Sequence, residues 1–262
     1  MRIDLNCDMG ESFGVYTLGY DEEALPFVTS INAACGFHAS DPLTMQRIVG
    51  LAKKYGVAIG AHPGYPDLVG FGRRELSASF EEIQADVIYQ IGALDAFCRA
   101  TGVRLQHVKV HGALYNRAEK DLATAVAIAQ AVKQVNPELY LVCLANSPMV
   151  EAAKQVGIPY VEEAFADRAY TAEGKLVSRK VAGSVLHDVE VVAQRVLRMV
   201  IEGKVTAIDG TEVSLKPDTI CVHGDTPGAV EMIKAIRARL ALAGVEVKLP
   251  PHLPERVVHG SL

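Results

Sequence analysis

Tryptophan is absent, aromatics make up 6% of the chain, and the five cysteines form no C-x-x-C pair. An odd set (Cys7, Cys35, Cys98, Cys143, Cys221) does not build a disulfide framework and fits a reducing compartment. Cations are the minority charge: 26 Lys and Arg stand against 31 Asp and Glu, a net −5 scattered along the sequence, which argues against a nucleic-acid partner. No apolar run approaches the roughly 20 residues that span a bilayer. The first strand-like stretch begins at Arg2, leaving no room for a signal peptide, so a soluble cytoplasmic protein is expected. Also missing are G-x-x-x-x-G-K-[ST] and H-E-x-x-H, and Gly70-Phe71-Gly72-Arg73-Arg74 lacks the last glycine of a dinucleotide fingerprint. There is no linker, low-complexity tract or internal repeat.

What is present is a regular alternation. With 262 residues, half of them hydrophobic, the chain is long enough for one large α/β core, the size of a single barrel of roughly 250 residues. Short apolar runs predict seven strands near Ile3–Asp8, Ser30–His38, Val57–His62, Leu105–His111, Tyr140–Asn146, Tyr160–Phe165 and Thr219–His223. Helical periodicity falls between them, at about Pro42–Tyr55, Ser79–Ala100, Ala118–Val135, Pro148–Val156, Leu186–Glu202 and Pro227–Ala243. Asp41 before Pro42 and Ser147 before Pro148 are start signals, and Gly56, Gly102, Gly157 and Gly244 sit where helices end. Strand, helix, strand repeated in this way predicts βαβ units around a parallel sheet, as one domain over residues 1–262. Two small hairpins interrupt it, near 171–178 and 204–215, the latter around Asp209-Gly210. The segment Lys248–Leu262 reads as an irregular tail.

Because side chains alternate across a strand, the phase of the polar residues is legible. Strand one places Asp4, Asn6 and Asp8 on one face. Asn32, Gly36 and His38 share a phase on strand two, as do Gly60 and His62 on strand three, His107, Lys109 and His111 on strand four, and Cys221, His223 and Asp225 on strand seven. A single histidine on an apolar strand is usually a satisfied core residue. Here five strands end alike, just before a glycine- or proline-containing loop, and in an α/β barrel that is the end where the active site is built. The chemistry on offer is carboxylate, imidazole and ammonium. Asp8 and Glu11 are candidate bases or metal ligands, and His38, His62, His111 and His223 candidate ligands or proton carriers. Lys109 is a stabiliser of a developing oxyanion, a buried base with lowered pKa, or the neutralising partner of Asp4 or Asp8.

Two features are decoys. Gly10-Glu11-Ser12-Phe13-Gly14 matches G-x-S-x-G, but no helix starts at Ser12, so no nucleophile is expected there. Four of the five cysteines lie in apolar strands and read as buried hydrophobes. Arg73 and Arg74 read as a solvated loop pair, with a carboxylate clamp as the alternative.

The motifs resemble those of the LamB/YcsF family. They are Asp4-Leu5-Asn6-Cys7-Asp8-Met9-Gly10-Glu11-Ser12-Phe13-Gly14, Asn32-Ala33-Ala34-Cys35-Gly36-Phe37-His38-Ala39-Ser40-Asp41-Pro42, Gly60-Ala61-His62-Pro63-Gly64-Tyr65-Pro66-Asp67, Lys109-Val110-His111-Gly112-Ala113-Leu114-Tyr115-Asn116, Phe165-Ala166-Asp167-Arg168-Ala169-Tyr170 and His223-Gly224-Asp225. The resemblance spans nearly the whole chain. Ser40 stands where the family commonly has glycine and Val110 where it commonly has proline, which bears on loop shape. The resemblance implies a seven-stranded parallel (β/α) barrel, TIM-like and related to glycoside hydrolase and deacetylase barrels. It also implies one component of an ATP-dependent 5-oxoprolinase, opening the lactam of 5-oxo-L-proline to L-glutamate with two partner subunits that use the ATP.

Within that reading Asp8 and His62 are expected as acid/base groups and Lys109 and His111 as oxyanion stabilisers. Asn6, Glu11, His38, Arg168, His223 and Asp225 are the expected surrounding pocket. Analogy with the deacetylases would make Asp8 a base or metal ligand and His38 and His62 metal ligands, but their H-x-x-x-[ST]-H spacing is absent and the metal stays open. The rivals are a stand-alone metal-dependent deacetylase or amidohydrolase, and a non-catalytic protein binding a small carboxylate or sugar.

Overall fold

A computed structural model of the chain describes residues 1–224 and 228–250. In order, the elements are β1 (Arg2–Met9), α1 (Asp21–Ala24), β2 (Ser30–Ala34), α2 (Pro42–Tyr55), β3 (Ala58–His62), α3 (Phe80–Thr101), β4 (Leu105–Val108), α4 (Gly112–Ala118), α5 (Leu122–Val135), β5 (Tyr140–Leu144), α6 (Pro148–Val156), β6 (Tyr160–Phe165), α7 (Val189–Glu202), β7 (Lys204–Thr206), β8 (Glu212–Ser214), β9 (Thr219–His223), α8 (Ala229–Leu242) and β10 (Glu246–Val247). Strands β1 to β6 pair in sequence, all parallel, and β9 joins β6 to β1, which closes a seven-stranded barrel. This is the expected fold. The short β7–β8 pair is antiparallel and stands apart from the barrel, while β10 adds a parallel edge beside β1.

Local chemistry explains the element boundaries. Asp41 and Ser147 cap α2 and α6 with prolines in the first turn, and Ser79 with Glu82 forms a capping box on α3. The helix expected from Ala118 starts at Leu122, because Asp121 accepts from Ala123 N and Thr124 N as its cap, and a separate short helix that was not expected, α4, ends at Ala118. The helix expected from Leu186 waits for its cap at Asp188, and α8 is described only from Ala229. Strands two and four are shorter than the polar alternation suggests. Ser40, at φ 75°, helps turn the chain after β2, a left-handed conformation that suits the glycine common there. Beyond β4 the amides of Lys109 and His111 still donate to Ala61 O and Pro63 O, at 2.9 and 2.8 Å, so the polar phase persists past the last ladder residue.

The outward faces of the strands (Leu5, Cys7, Ile31, Ile59, Val108, Leu141, Ile220, Val222) pack against the helices in one continuous core. The lumen differs from the branched apolar filling usual in (β/α) barrels. An apolar group of Ala58, Val142, Val161 and Leu249 stands apart from the main core. A hydrogen-bonded polar network fills much of the lumen, with Asp4 accepting from Thr29, Ser30 and Thr219, and Asn32 donating to Asn6 and Asp8. His107 Nε2 donates to Asn32 Oδ1 at 2.9 Å. Its ring occupies the space beside Gly60, where a Cβ would fall 2.1 Å from the imidazole, so β3 needs glycine at that position.

Burial pushes His107 down to about 3, with the charges of Lys109 and His62 adding to the shift. The folded state therefore keeps this ring neutral while the unfolded chain takes up a proton below about pH 6.5. Stability attributable to His107 is intact above that pH and declines as pH falls toward 3, by up to about 1.4 kcal/mol per pH unit. Urea unfolding of the wild type and His107→Gln between pH 7 and 4 should show a shallower pH dependence in the variant. Parallel curves would disprove the assignment.

Candidate functional site

At the carboxyl ends of the strands lies a cleft of about 330 Å³, lined among others by Asp8, His62, Arg73, Lys109, His111, Phe165, Arg168, Arg179, Lys180 and His223. Its volume lies at the small end of the range for small-molecule sites. The floor is organised by Lys109, 2% exposed. Its Nζ stands 2.8 Å from Glu163 Oε1 and 3.1 Å from Asp8 Oδ1, and donates to Cys221 Sγ at 3.0 Å. Burial disfavours the ammonium, but Asp8, Cys221 and Glu163 outweigh it and hold the Lys109 pKa well above its ordinary value. Burial likewise pushes the Asp8 carboxyl up, yet His62 and Lys109 overcome that and hold it well below the usual carboxylate range. Asp8 and Lys109 thus stand ionised side by side. The neutralising reading of Lys109 is correct for Asp8, with Glu163 rather than Asp4 as the second partner.

His62 and His111 share a proton problem. His62 Nδ1 lies 2.7 Å from Lys109 O and His111 Nε2 2.9 Å from Phe71 O, and carbonyl oxygens only accept. Each ring therefore carries its hydrogen on that side, and the remaining nitrogens face one another at 3.0 Å. Two lone pairs at that distance repel, and burial together with the charges of His38 and His62 holds the His111 pKa well below its ordinary value. Asp8 Oδ2, 3.4 Å from His62, and Glu11 Oε1, 3.7 Å from His111, flank the two rings with negative charge.

Glu11, His38, His62 and His111 also form a set whose ligand atoms lie within 4.8 Å of one another. Their donor types suit zinc. Their orientation does not, because the His38 and His111 rings are stacked at 3.7 Å and 2°, and in-plane lone pairs on parallel rings do not converge on one ion. A second set, Asp8, Cys221 and His223, already surrounds a cation, since the Lys109 ammonium donates to Cys221 Sγ and pairs with Asp8. Neither set fits a divalent metal as arranged.

On the other wall His223 Nδ1 is 2.9 Å from both oxygens of Asp167, a fully buried carboxylate. Burial pushes Asp167 up, but His223 overrides it and leaves its pKa lowered. This bond fixes the ring and leaves Nε2 as its remaining nitrogen.

Of the expected site residues, Asp8, His62, Lys109, His111, Arg168 and His223 line the cleft. Asn6, Glu11 and His38 are not among its lining residues. Asn6 donates to Glu163 and Thr219 beneath it, while Glu11 and His38 contact each other at 3.4 Å behind His111. Asp225 lies outside the described residues. Three contributors went unrecognised: Glu163, Asp167 and Tyr115, whose hydroxyl donates to Glu163 at 3.0 Å. Glu163 had a signal, since it shares its phase on the strand with the apolar Val161 and Phe165; Asp167, in a loop, had only its place in the Phe165-Ala166-Asp167-Arg168 motif. Ser12 Oγ bonds Leu18 within its own loop, with no helix behind it. All five thiols are buried, with Cys35 and Cys98 pushed up to about 12.

Fold and site together define a closed parallel (β/α) barrel of hydrolase-like design, with an ionised carboxylate, an ammonium and two oriented imidazole systems at the strand ends. The chain belongs to the LamB/YcsF family, whose model matches residues 3–254. It is 53% identical over 251 residues to a 5-oxoprolinase subunit from Clostridium beijerinckii, covering 96% of this chain and 98% of that one. The corresponding 5-oxoprolinase subunit from Thermus thermophilus is 54% identical over 248 residues, covering 95% and 99%. The crystal structure of a lactam utilization protein from Thermus thermophilus superposes with a TM-score of 0.90 at 53% identity, covering 95% and 99%. A putative cellobiose-phosphate cleavage protein from Enterococcus faecalis shares the fold at TM-score 0.56 and 14% identity, covering 95% and 97%. Among the described residues no helix is long and apolar enough to cross a membrane.

Two outcomes are expected. Lys109→Met leaves Asp8 and Glu163 as buried, unpaired carboxylates and should destabilise the fold by about 3–5 kcal/mol in urea unfolding. A change below about 1 kcal/mol would show that the ion triad is not a structural centre. EDTA or added Zn²⁺ should leave the thermal midpoint unchanged; a zinc-dependent rise would mean that the stacked histidines reorient to take an ion.

Proposed function

We propose that this chain is the barrel component of an ATP-dependent 5-oxoprolinase, a hydrolase that opens the lactam of 5-oxo-L-proline to L-glutamate. The supporting observation is the ionised Asp8–Lys109 pair beside the Asp167-oriented His223 in one cleft. The full-length relatives named as 5-oxoprolinase subunits agree with it. An unstrained lactam is a resonance-stabilised amide whose ring readily re-forms, so its opening needs an external driving force. Phosphorylation of the lactam oxygen provides one. No phosphate-cradling G-x-x-x-x-G-K-[ST] exists here, so ATP use falls to two partner subunits in the cytoplasm and this chain acts on the activated lactam.

In the reaction Asp8, held as a carboxylate, orients water against the carbon bearing the phosphorylated oxygen. Negative charge that develops at the tetrahedral centre is stabilised by the Lys109 ammonium, with the His62 and His111 rings beside it. The water's first proton passes to His223 Nε2 and on to the ring nitrogen; the new hydroxyl then gives up its proton by the same route, so that its oxygen forms the C=O bond as the C–N bond breaks and the amine leaves neutral. The open product is an acyl phosphate, which a second water converts to the carboxylate and free phosphate. Asn6, Glu11 and His38 hold this machinery from behind.

The purified chain with ATP, Mg²⁺ and 5-oxoproline should form no glutamate, and adding the partner subunits should restore turnover. In that complex Asp8→Asn and His223→Gln should each lower turnover by about 10²-fold or more. Glutamate made by the chain alone at the rate of the complex, or full activity of Asp8→Asn, would refute the assignment.

A further inference from the structure

The cleft is far more cationic than the protein that carries it. Among the described residues, Arg73, Lys109, Lys120, Arg168, Arg179 and Lys180 line it against two carboxylates, Asp8 and Glu119, in a chain whose net charge is −5. The deep end is not the source of this excess, since there one cation, Lys109, sits between two carboxylates, Asp8 and Glu163. Glu119 sits beside Lys120, 3.5 Å away. Three of these cations, Arg168, Arg179 and Lys180, lie on the segment 168–180 that follows β6, which forms the outer end of the cleft.

Arg168 is the key residue there. It is 5% exposed, its Nη2 donates to Val177 O, and its Nε is buried with no hydrogen-bond partner. Burial and the neighbouring Arg179 charge push its pKa down to about 10, while Asp167 and Glu119 act in the opposite sense. Asp167 is already bonded to His223. A buried guanidinium with an unsatisfied N–H is a costly arrangement. An anion held in the cleft, which Arg168 and Arg179 both line, offsets that cost, and arginine's planar fork suits phosphate oxygens. Phe165, Leu176 and Val177 give the same cleft an apolar wall for a small ring.

We infer that the outer end of the cleft, centred on Arg168 with Arg179, is a phosphoryl-binding subsite, so that the chain accepts its substrate in phosphorylated form. The inference rests on the proposed function for the identity of the substrate, but phosphate binding itself does not depend on turnover. A phosphoryl dianion matches two guanidiniums better than does the single carboxylate of 5-oxoproline. Holding that group at the outer end presents the ring carbon to Asp8 and Lys109 at the other.

The test is calorimetric titration of the purified full chain, without partners, with inorganic phosphate and separately with 5-oxoproline. Phosphate should bind with one site. Arg168→Gln and Arg179→Gln should each weaken it at least about tenfold, the effect of losing one charge-assisted hydrogen bond, while Arg168→Lys recovers part of the loss. 5-Oxoproline should be affected much less. Arg179 is exposed, so its variant tests the subsite even if Arg168→Gln fails to fold. Three results overturn the proposal: no phosphate binding, phosphate binding indifferent to both arginines, or a selective loss of 5-oxoproline binding, which would make Arg168 the carboxylate anchor. Phosphate binding that persists in a chain inactive with its partners would separate failure of the proposed function from failure of the subsite.

Discussion

The rest of the structure depends on one buried cation. Lys109 sits at the centre of a closed barrel with carboxylates of β1 and β6 on either side, and neither carboxylate nor ammonium is tolerable there alone. The lumen must therefore be polar, and each polar group in it must find a partner. Asn6 joins Glu163, Thr219 and Asn32, Asn32 joins Asp8 and His107, and Tyr115 caps Glu163 from α4. The network ties together five of the seven strands through side chains as well as through ladders. Such a lumen is less forgiving than an apolar one, because removing a member strands its partners.

The same arrangement prepares the chemistry. Ion pairs inside a barrel act in a medium less polar than water, where a fixed ammonium strongly favours negative charge developing nearby. Asp8 and Lys109 are the members of the triad that reach the cleft, whereas Glu163 is wholly buried and balances the charge from behind. Across the cleft, His223 is oriented by Asp167. The two walls thus differ in kind, one a permanently charged floor and the other an imidazole with a second nitrogen left for the cleft. The outer cations add a third zone, in which positive charge outnumbers negative.

Much of this was legible in the sequence. Seven apolar runs alternating with capped helices give the strand count and the parallel order, because parallel neighbours need a helical crossover between them. The two-residue period along strands one, three, four and seven put Asp8, His62, Lys109, His111 and His223 on one face and at one end, and the cleft gathers all five. Ser12 and the cysteines were recognisable as decoys, since activation requires a helix start or a lowered thiol pKa that local sequence did not supply.

Tertiary structure decided the rest, for reasons of closure and distance. Alternation places Asn6, Glu11 and His38 in or near the polar phase but does not tell depth along a barrel, so only the closed structure shows Asn6 beneath the floor and His38 stacked behind His111. The partners of Lys109 and His223 come from 54 and 56 positions away, and sequence carries no measure of such contacts. The direction of each imidazole, which sets two lone pairs face to face and argues against a common metal, follows from the backbone carbonyls of Lys109 and Phe71. Residue type and period determined which groups face inward; the curvature of the closed sheet determined which of them meet.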